Sequence, residues 1–117
     1  MTTETLFESI QHKLGMKWST PEENRLDGIL HPNQLLDAVD VLHTIEGLYL
    51  IAITGIDDGA ESNSLHVLYH FASGSSVITL RVNLDRTDPL IDSICSILPY
   101  ASPYERETGE MFGITFI

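Results

Sequence analysis

Cations are scarce in this chain. Six lysines and arginines stand against 17 aspartates and glutamates, a net charge of −11 at pH 7. Phosphate binding needs clustered cations, so neither a nucleic-acid surface nor an anionic-membrane surface is expected. Acidity itself favours solubility and leaves room for a basic protein partner. Cysteine is scarcer still. Cys95 stands alone, which excludes an intrachain disulfide and a self-contained cluster held by several cysteines. A reducing compartment is the expectation. Long apolar runs are missing too. The longest, around "LYLIAIT", is far short of the roughly 20 residues a spanning helix needs. "MTTETLFESI" has neither the basic nor the apolar region of a signal peptide. A soluble protein without direct membrane insertion is expected.

What is present suits a folded domain. The 117 residues are 43% hydrophobic, enough for one core, so a single domain over 1–117 is expected. Leu6, Phe7, Ile10 and Leu14 share a helical face before Gly15, which predicts a helix over about 3–14. "STPEENR" is expected to be a polar loop and "LDGIL" a short strand. "HPNQLLDAVDVLHTIEG" predicts a second helix, with Pro32 in its first turn, Leu35, Leu36, Val39 and Leu42 as its buried stripe, and Gly47 as its end.

The period then changes. "LYLIAIT" has the continuous apolar character of a central strand. "LHVLYHFA" and "VITLRVNL", joined by "SGSS", predict a hairpin. "LIDSICSIL" is expected to be strand-like. The order predicts an α+β domain, a mainly antiparallel sheet with helices packed on one face and a closing C-terminal helix and short strand.

The closing helix has its own punctuation. Ser102 is the expected cap, Pro103 suits the first turn, Glu105 can complete a capping box, and Gly113 is a natural stop. Tyr104, Thr108, Met111 and Phe112 share one face, with Arg106 and Glu110 on the other. Gly109 costs roughly 1 kcal/mol inside a helix relative to alanine, and such a glycine often marks a close neighbour. On spacing alone this is an amphipathic helix with a solvated charged face.

"YERETGEMFGITF" resembles the signature of the 30-kDa subunit of respiratory complex I and its relatives in energy-converting [NiFe] hydrogenases. That pattern is Glu-Arg-Glu, two variable residues, an acid, two apolar residues, Gly, an aliphatic residue and a Phe. Here it is carried by Glu105, Arg106, Glu107, Glu110, Met111, Phe112, Gly113, Ile114 and Phe116. "ITGID" resembles the family's strand end, with Asp57 as its acid, and the resemblance extends over about residues 26–117. Pro103-Tyr104 stands where complex I often has Trp, Glu110 where it usually has Asp, and the sequence ends where longer members continue. These departures resemble the hydrogenase branch.

The resemblance implies a cofactor-free accessory subunit of a complex-I-like NADH:quinone oxidoreductase or energy-converting hydrogenase. Such a subunit packs against the large subunit homologous to the complex I 49-kDa and [NiFe]-hydrogenase large subunits, alongside other hydrophilic-arm subunits. It lies on the cytoplasmic face of a membrane through its complex. The implied interface is Tyr104, Glu105, Arg106, Glu107, Glu110, Met111, Phe112, Gly113 and Phe116, with a partner covering this helix and the "ITFI" run. Arg106 can serve that interface or pin the helix within its own domain; both uses stay open. The rival is a stand-alone α+β protein-binding module.

An independent enzyme finds little support. His66 and His70 are four apart on a predicted strand, which puts them on one face but roughly 13 Å apart, too far to chelate one ion. Cys95 is expected to be a small buried hydrophobe. Asp57, Asp58 and Glu61 lack calcium-loop spacing and predict a solvated turn. No catalytic, cofactor-binding or metal-ligating residue is assigned. Trp18 is either a core plug or an interface anchor.

Overall fold

A computed structural model describes residues 2–59 and 61–117. The first helix, α1, spans Thr3–Lys13. Thr2 caps it, its hydroxyl accepting from the backbone N–H of Thr5, one of the donors that a helix start leaves over. Leu6, Phe7 and Ile10 are buried on one face, as their spacing predicts.

The expected polar loop is instead half of a hairpin. β1 spans Lys17–Glu22 and β2 spans Arg25–Leu30, paired antiparallel. β1 is an edge strand and is mostly exposed. It therefore carries no apolar alternation, and its Pro21 speaks against a strand except at an edge. Trp18 faces Gly28 across the pair. A Cβ on Gly28 would sit 2.5 Å from the indole ring, and the indole N–H donates to the Leu14 carbonyl at 3.0 Å. Trp18 thus docks the hairpin on the end of α1.

A 3-10 turn, Pro32–Gln34, leads into α2, Leu35–His43. The second helix is shorter than expected at both ends. The Gln34 side chain folds back to accept from the His31 N–H at 2.8 Å, and Gly47 lies beyond the helix in the turn, at φ 82°. Leu35, Ala38, Val39 and Leu42 are buried; Leu36 is only half-buried.

The main sheet has the order β1-β2-β5-β4-β3. β3 is Tyr49–Asp57, β4 Ser64–Ser73 and β5 Ser76–Asp85. β4 and β5 form the predicted hairpin, in register from Ser64↔Asp85 to Ser73↔Ser76. All pairs are antiparallel except β2 with β5. The continuous apolar strand β3 lies at an edge rather than the centre. Helix α3 covers it only around Ile53 and Gly55, while Tyr49 and Ile51 are exposed; a short apolar run does not say which of its residues are covered.

Leu65, Val67, Tyr69 and Phe71 of β4 and Ile78, Leu80, Val82 and Leu84 of β5 form the core with the buried faces of the helices. Leu26 and Leu30 join from β2, Leu50 and Ile53 from β3. The helices lie on this one face.

Only Leu90–Ile91 of the expected strand "LIDSICSIL" is strand, β6. Residues 93–98 form turns in which the backbone N–H groups of Ile97 and Leu98 donate to the Ile94 carbonyl at 3.0 and 2.8 Å. Ile94 and Leu98 are buried. A turn held by side chains from elsewhere has no local signature. β6 pairs in parallel with β7, Thr115–Phe116.

The Gly28–Trp18 contact makes the only tryptophan a reporter of hairpin docking. Gly28→Val should displace the indole, shift its emission to the red and cost about 1–3 kcal/mol of stability, as overpacking does. Unchanged emission with unchanged stability would contradict the packing.

Candidate functional site

The third helix, α3, spans Ser102–Phe112 and follows directly on a 3-10 turn, Pro99–Ala101. Ala101 occupies the capping position with no side-chain cap, so Ser102 does not cap and Glu105 closes no capping box. The 3-10 entry already supplies the first turn's partners, which leaves the carboxylate for another use. Glu105 turns inward and is 5% exposed. Its Oε1 accepts from the Ser93 hydroxyl at 2.7 Å and its Oε2 from the Ile94 backbone N–H at 2.8 Å. The Cys95 thiol donates to Oε1 at 3.4 Å. Charge-assisted bonds of this kind are the strong ones.

Burial, and then this carboxylate, raise the pKa of two neighbours. The Cys95 thiol is pushed up from its ordinary pKa, first by burial, with the hydrogen bond and charge of Glu105 adding to it. Raised in this way, it is no activated nucleophile. The Tyr69 hydroxyl is pushed up by burial and then by the charge of Glu105. It has no hydrogen-bond partner among the described residues.

The rest of α3 fastens to the sheet edge. The Thr108 hydroxyl donates to the Ile53 carbonyl at 3.1 Å. The Phe112 ring covers Gly55, where a Cβ would approach it to 2.5 Å. Gly109 does have a close neighbour, since a Cβ there would lie 2.9 Å from the Ile114 carbonyl. Gly113, at φ 71°, ends the helix with its N–H on the Gly109 carbonyl. The chain then folds back. Thr115 N–H donates to Pro89 O, Ile117 N–H to Ile91 O and Ser93 N–H to Ile117 O, each at 2.9 Å. The "ITFI" run is thus held largely by its own chain: Ile114 is buried and Phe116 half-buried, while Thr115 and the 71% exposed Ile117 face out.

The signature therefore divides. Glu105 and Thr108 are buried, and Tyr104 and Phe112 half-buried. Arg106, Glu107, Glu110 and Met111 are exposed. Met111, expected on the packed face, is 68% exposed. It stands at the rim of a groove with Ile53, Thr54, Gly55 and Glu107, and β3 is the last strand, so no further strand covers it. Arg106 makes no ion pair among the described residues.

His66 and His70 lie on β4 as predicted, in two separate networks. His70 is hydrogen-bonded to Thr54 at 2.9 Å and to Thr79 at 3.0 Å. Burial, then the charge of Arg25, lowers its pKa against the opposing pull of Asp27, and the lowering favours the neutral ring. His66 Nε2 reaches Asp58 at 2.8 Å. Among the described residues, no three His, Cys, Asp or Glu side chains gather as a metal site. The turn after β3 is not merely solvated. Arg86 pairs with Asp57 and donates to the carbonyls of Gly59 and Ser62, each at 2.8 Å. The Arg86 hydrogen bond, then that of the Gly59 N–H, holds the Asp57 carboxyl below its usual range. Arg86 has no local signature in the sequence because its partners lie 24 or more residues away.

Comparison with known proteins agrees with this geometry. Residues 29–117 match the model of the family described as the respiratory-chain NADH dehydrogenase 30 Kd subunit. The C subunit of NADH-quinone oxidoreductase from Bartonella bacilliformis is 39% identical over 129 aligned positions, covering 99% of this chain and 61% of that one. The C subunit of F(420)H(2) dehydrogenase from Methanosarcina mazei is 31% identical, over 99% of this chain and 77% of that one. The C/D subunit of NADH-quinone oxidoreductase from a Psychrobacter species is 30% identical over 99% of this chain, which spans 22% of it. The chain thus spans less than two thirds of the Bartonella relative. Two solved structures share the fold. A trypsin-resistant fragment of Nqo5 superposes with TM-score 0.80 at 21% identity, over 99% of this chain and 96% of that one. A chain of the archaeal membrane-bound sulfane sulfur reductase superposes with TM-score 0.84 at 18% identity, over 97% and 69%. The chain belongs to the 30-kDa subunit family of respiratory-chain NADH dehydrogenase.

Glu105→Gln tests the inward half of the signature. An amide offers one acceptor where the carboxylate offers two, and its NH2 confronts either Ser93 or the Ile94 N–H. A buried donor left without an acceptor costs about 1–3 kcal/mol, and chemical denaturation should show that loss. Unaltered stability would mean that the carboxylate does not hold the turn.

Proposed function

We propose that this chain is a cofactor-free accessory subunit of a complex-I-like assembly, and that the outer half of the signature is where a neighbouring subunit docks. The observation that carries the reading is the division of α3. Glu105 is consumed inside the fold, while Arg106 projects from the same helix with no ion pair among the described residues. Glu107 and Glu110 neighbour it on the exposed stripe of α3, Met111 stands at the other border of that stripe beside β3, and the exposed Ile117 ends the adjacent run. An exposed guanidinium bordering a groove that Gly109, Ile114 and Phe116 also line suits a contact in which a partner carboxylate takes two of its donors.

The proposed partner is the large subunit homologous to the complex I 49-kDa and hydrogenase large subunits. Relatives in which the C and D subunits form one chain support a neighbour held at fixed stoichiometry. The named relatives are quinone reductase and F(420)H(2) dehydrogenase subunits, so the reading is drawn at the level of the complex-I-like assembly rather than the hydrogenase branch. Among the described residues no helix is long and apolar enough to cross a membrane. Peripheral attachment on the cytoplasmic face, through the other subunits, fits that and the membrane complex among the structural matches. A role in holding the large subunit, rather than in chemistry, fits a neutral, hydrogen-bonded Cys95 and two histidines engaged within the sheet.

Arg106→Ala tests this. Losing a hydrogen-bonded charge at an interface costs about 2–5 kcal/mol, whereas a surface substitution changes fold stability by about 0.5 kcal/mol or less. Co-purification with the large subunit should weaken while the melting temperature of the free chain stays nearly constant. Full assembly with a badly destabilised chain would place Arg106 inside the fold and refute the docking role.

A further inference from the structure

The sheet face opposite the helices carries a second constellation that the signature does not use. His66, Leu68 and His70 of β4 alternate there with the core residues, as do Val77, Thr79, Arg81 and Asn83 of β5 and Arg25, Asp27 and Ile29 of β2. Arg81 stands at the centre of this face. In register it has Leu68 on one side and Ile29 on the other. Its neighbours across both ladders are therefore aliphatic, and Ile29 is 52% exposed.

The guanidinium is held from one end only. Arg81 Nε donates to His66 Nδ1 at 3.4 Å, and His66 Nε2 donates in turn to Asp58 Oδ2 at 2.8 Å. Both nitrogens of His66 are thereby engaged. Among the described residues the two Nη groups of Arg81 have no acceptor, and Arg81 makes no ion pair. By contrast, Arg25 has Asp27 beside it at 3.6 Å and Arg86 is paired with Asp57. A planar fork with both outer nitrogens available, fixed in orientation and flanked by aliphatic side chains, is the complement of a single carboxylate.

We propose that this open sheet face is a second docking surface, occupied by a segment of a neighbouring protein subunit that presents one aspartate or glutamate to Arg81 and aliphatic side chains to Leu68 and Ile29. The inference goes beyond the docking of α3 and shares with it only the premise that the chain works inside an assembly. A polyanion is the wrong occupant. The chain carries a net charge of −11, and Glu22, Asp27 and Asp85 lie on or beside the same face, so a phosphate-rich surface is repelled where an isolated carboxylate is not.

The test uses the purified assembly. Arg81→Lys places an amine at the same site, and a zero-length carbodiimide joins an amine only to a carboxylate in direct contact. Mass spectrometry should find position 81 joined to an aspartate or glutamate of another subunit. Arg81→Glu, which confronts that carboxylate with a like charge, should weaken retention of this subunit on the order of thirtyfold or more. Absence of a cross-link together with retention equal to the parent would overturn the proposal. Arg106→Ala is run beside it: weak assembly with that variant and unaltered assembly with Arg81→Glu would overturn the second surface and leave the first. Binding of the chain to phosphatidylglycerol vesicles, lost in Arg81→Glu, would overturn the choice of a protein carboxylate as occupant.

Discussion

The buried carboxylate of Glu105 is the constraint on which the closing segment, residues 90–117, depends. Residues 93–98 have no regular structure to satisfy their backbone, and a carboxylate taken out of water must find donors. The two needs meet in the bonds to the Ser93 hydroxyl and the Ile94 N–H. With that bond set in place, α3 is fixed against the turn, Ile94 is buried at 0% exposure, and β6 is positioned just upstream to receive β7. The tail then returns over Gly109, where the Ile114 carbonyl approaches too closely for a Cβ. Because Glu105 is turned inward, the next residue on the helix, Arg106, points away from the fold.

The same elements decide which surfaces remain for a partner. An uncovered sheet edge invites strand addition, and here both edges are managed. Along β3, the Leu50 N–H donates to the Tyr100 hydroxyl at 2.9 Å and the Ile53 carbonyl accepts from Thr108. The other edge, β1, is broken by an irregular register between Ser19 and Glu22 and contains Pro21. What is left for recognition is side-chain surface: the outer stripe of α3 and the helix-free face of the sheet. Both present an arginine without an ion pair among the described residues.

The parts of this structure that are periodic could be read from the sequence. The face of α1, the β4–β5 hairpin and the glycine stop at Gly113 follow from spacing and turn chemistry alone, and the signature pointed to the family. The misreadings share a cause. β1 has no apolar alternation because its faces are exposed, and β3 reads as central although Tyr49 and Ile51 are exposed and only its Ile53–Gly55 part lies under α3. The turn over 93–98 gives two of its donors, the Ser93 hydroxyl and the Ile94 N–H, to Glu105, 12 and 11 residues away. Within the signature, sequence could not divide Glu105 from Arg106: adjacent charged residues look alike until a buried turn claims one of them. Met111 shows the same limit, since helical spacing places it on the packed side but does not say where the sheet ends.

The central claim is that the inner half of the signature fastens the fold and the outer half is covered by a neighbour. Met111 reports on the outer half most directly, because it is 68% exposed and a thioether is oxidised according to its exposure. Oxidation by dilute peroxide, followed by mass spectrometry, compares the chain alone with the purified assembly, with the half-buried Met16 as internal reference. The account predicts that Met111 is oxidised faster than Met16 in the free chain and is markedly slowed on assembly. Oxidation of Met111 at the same rate in both states would contradict it.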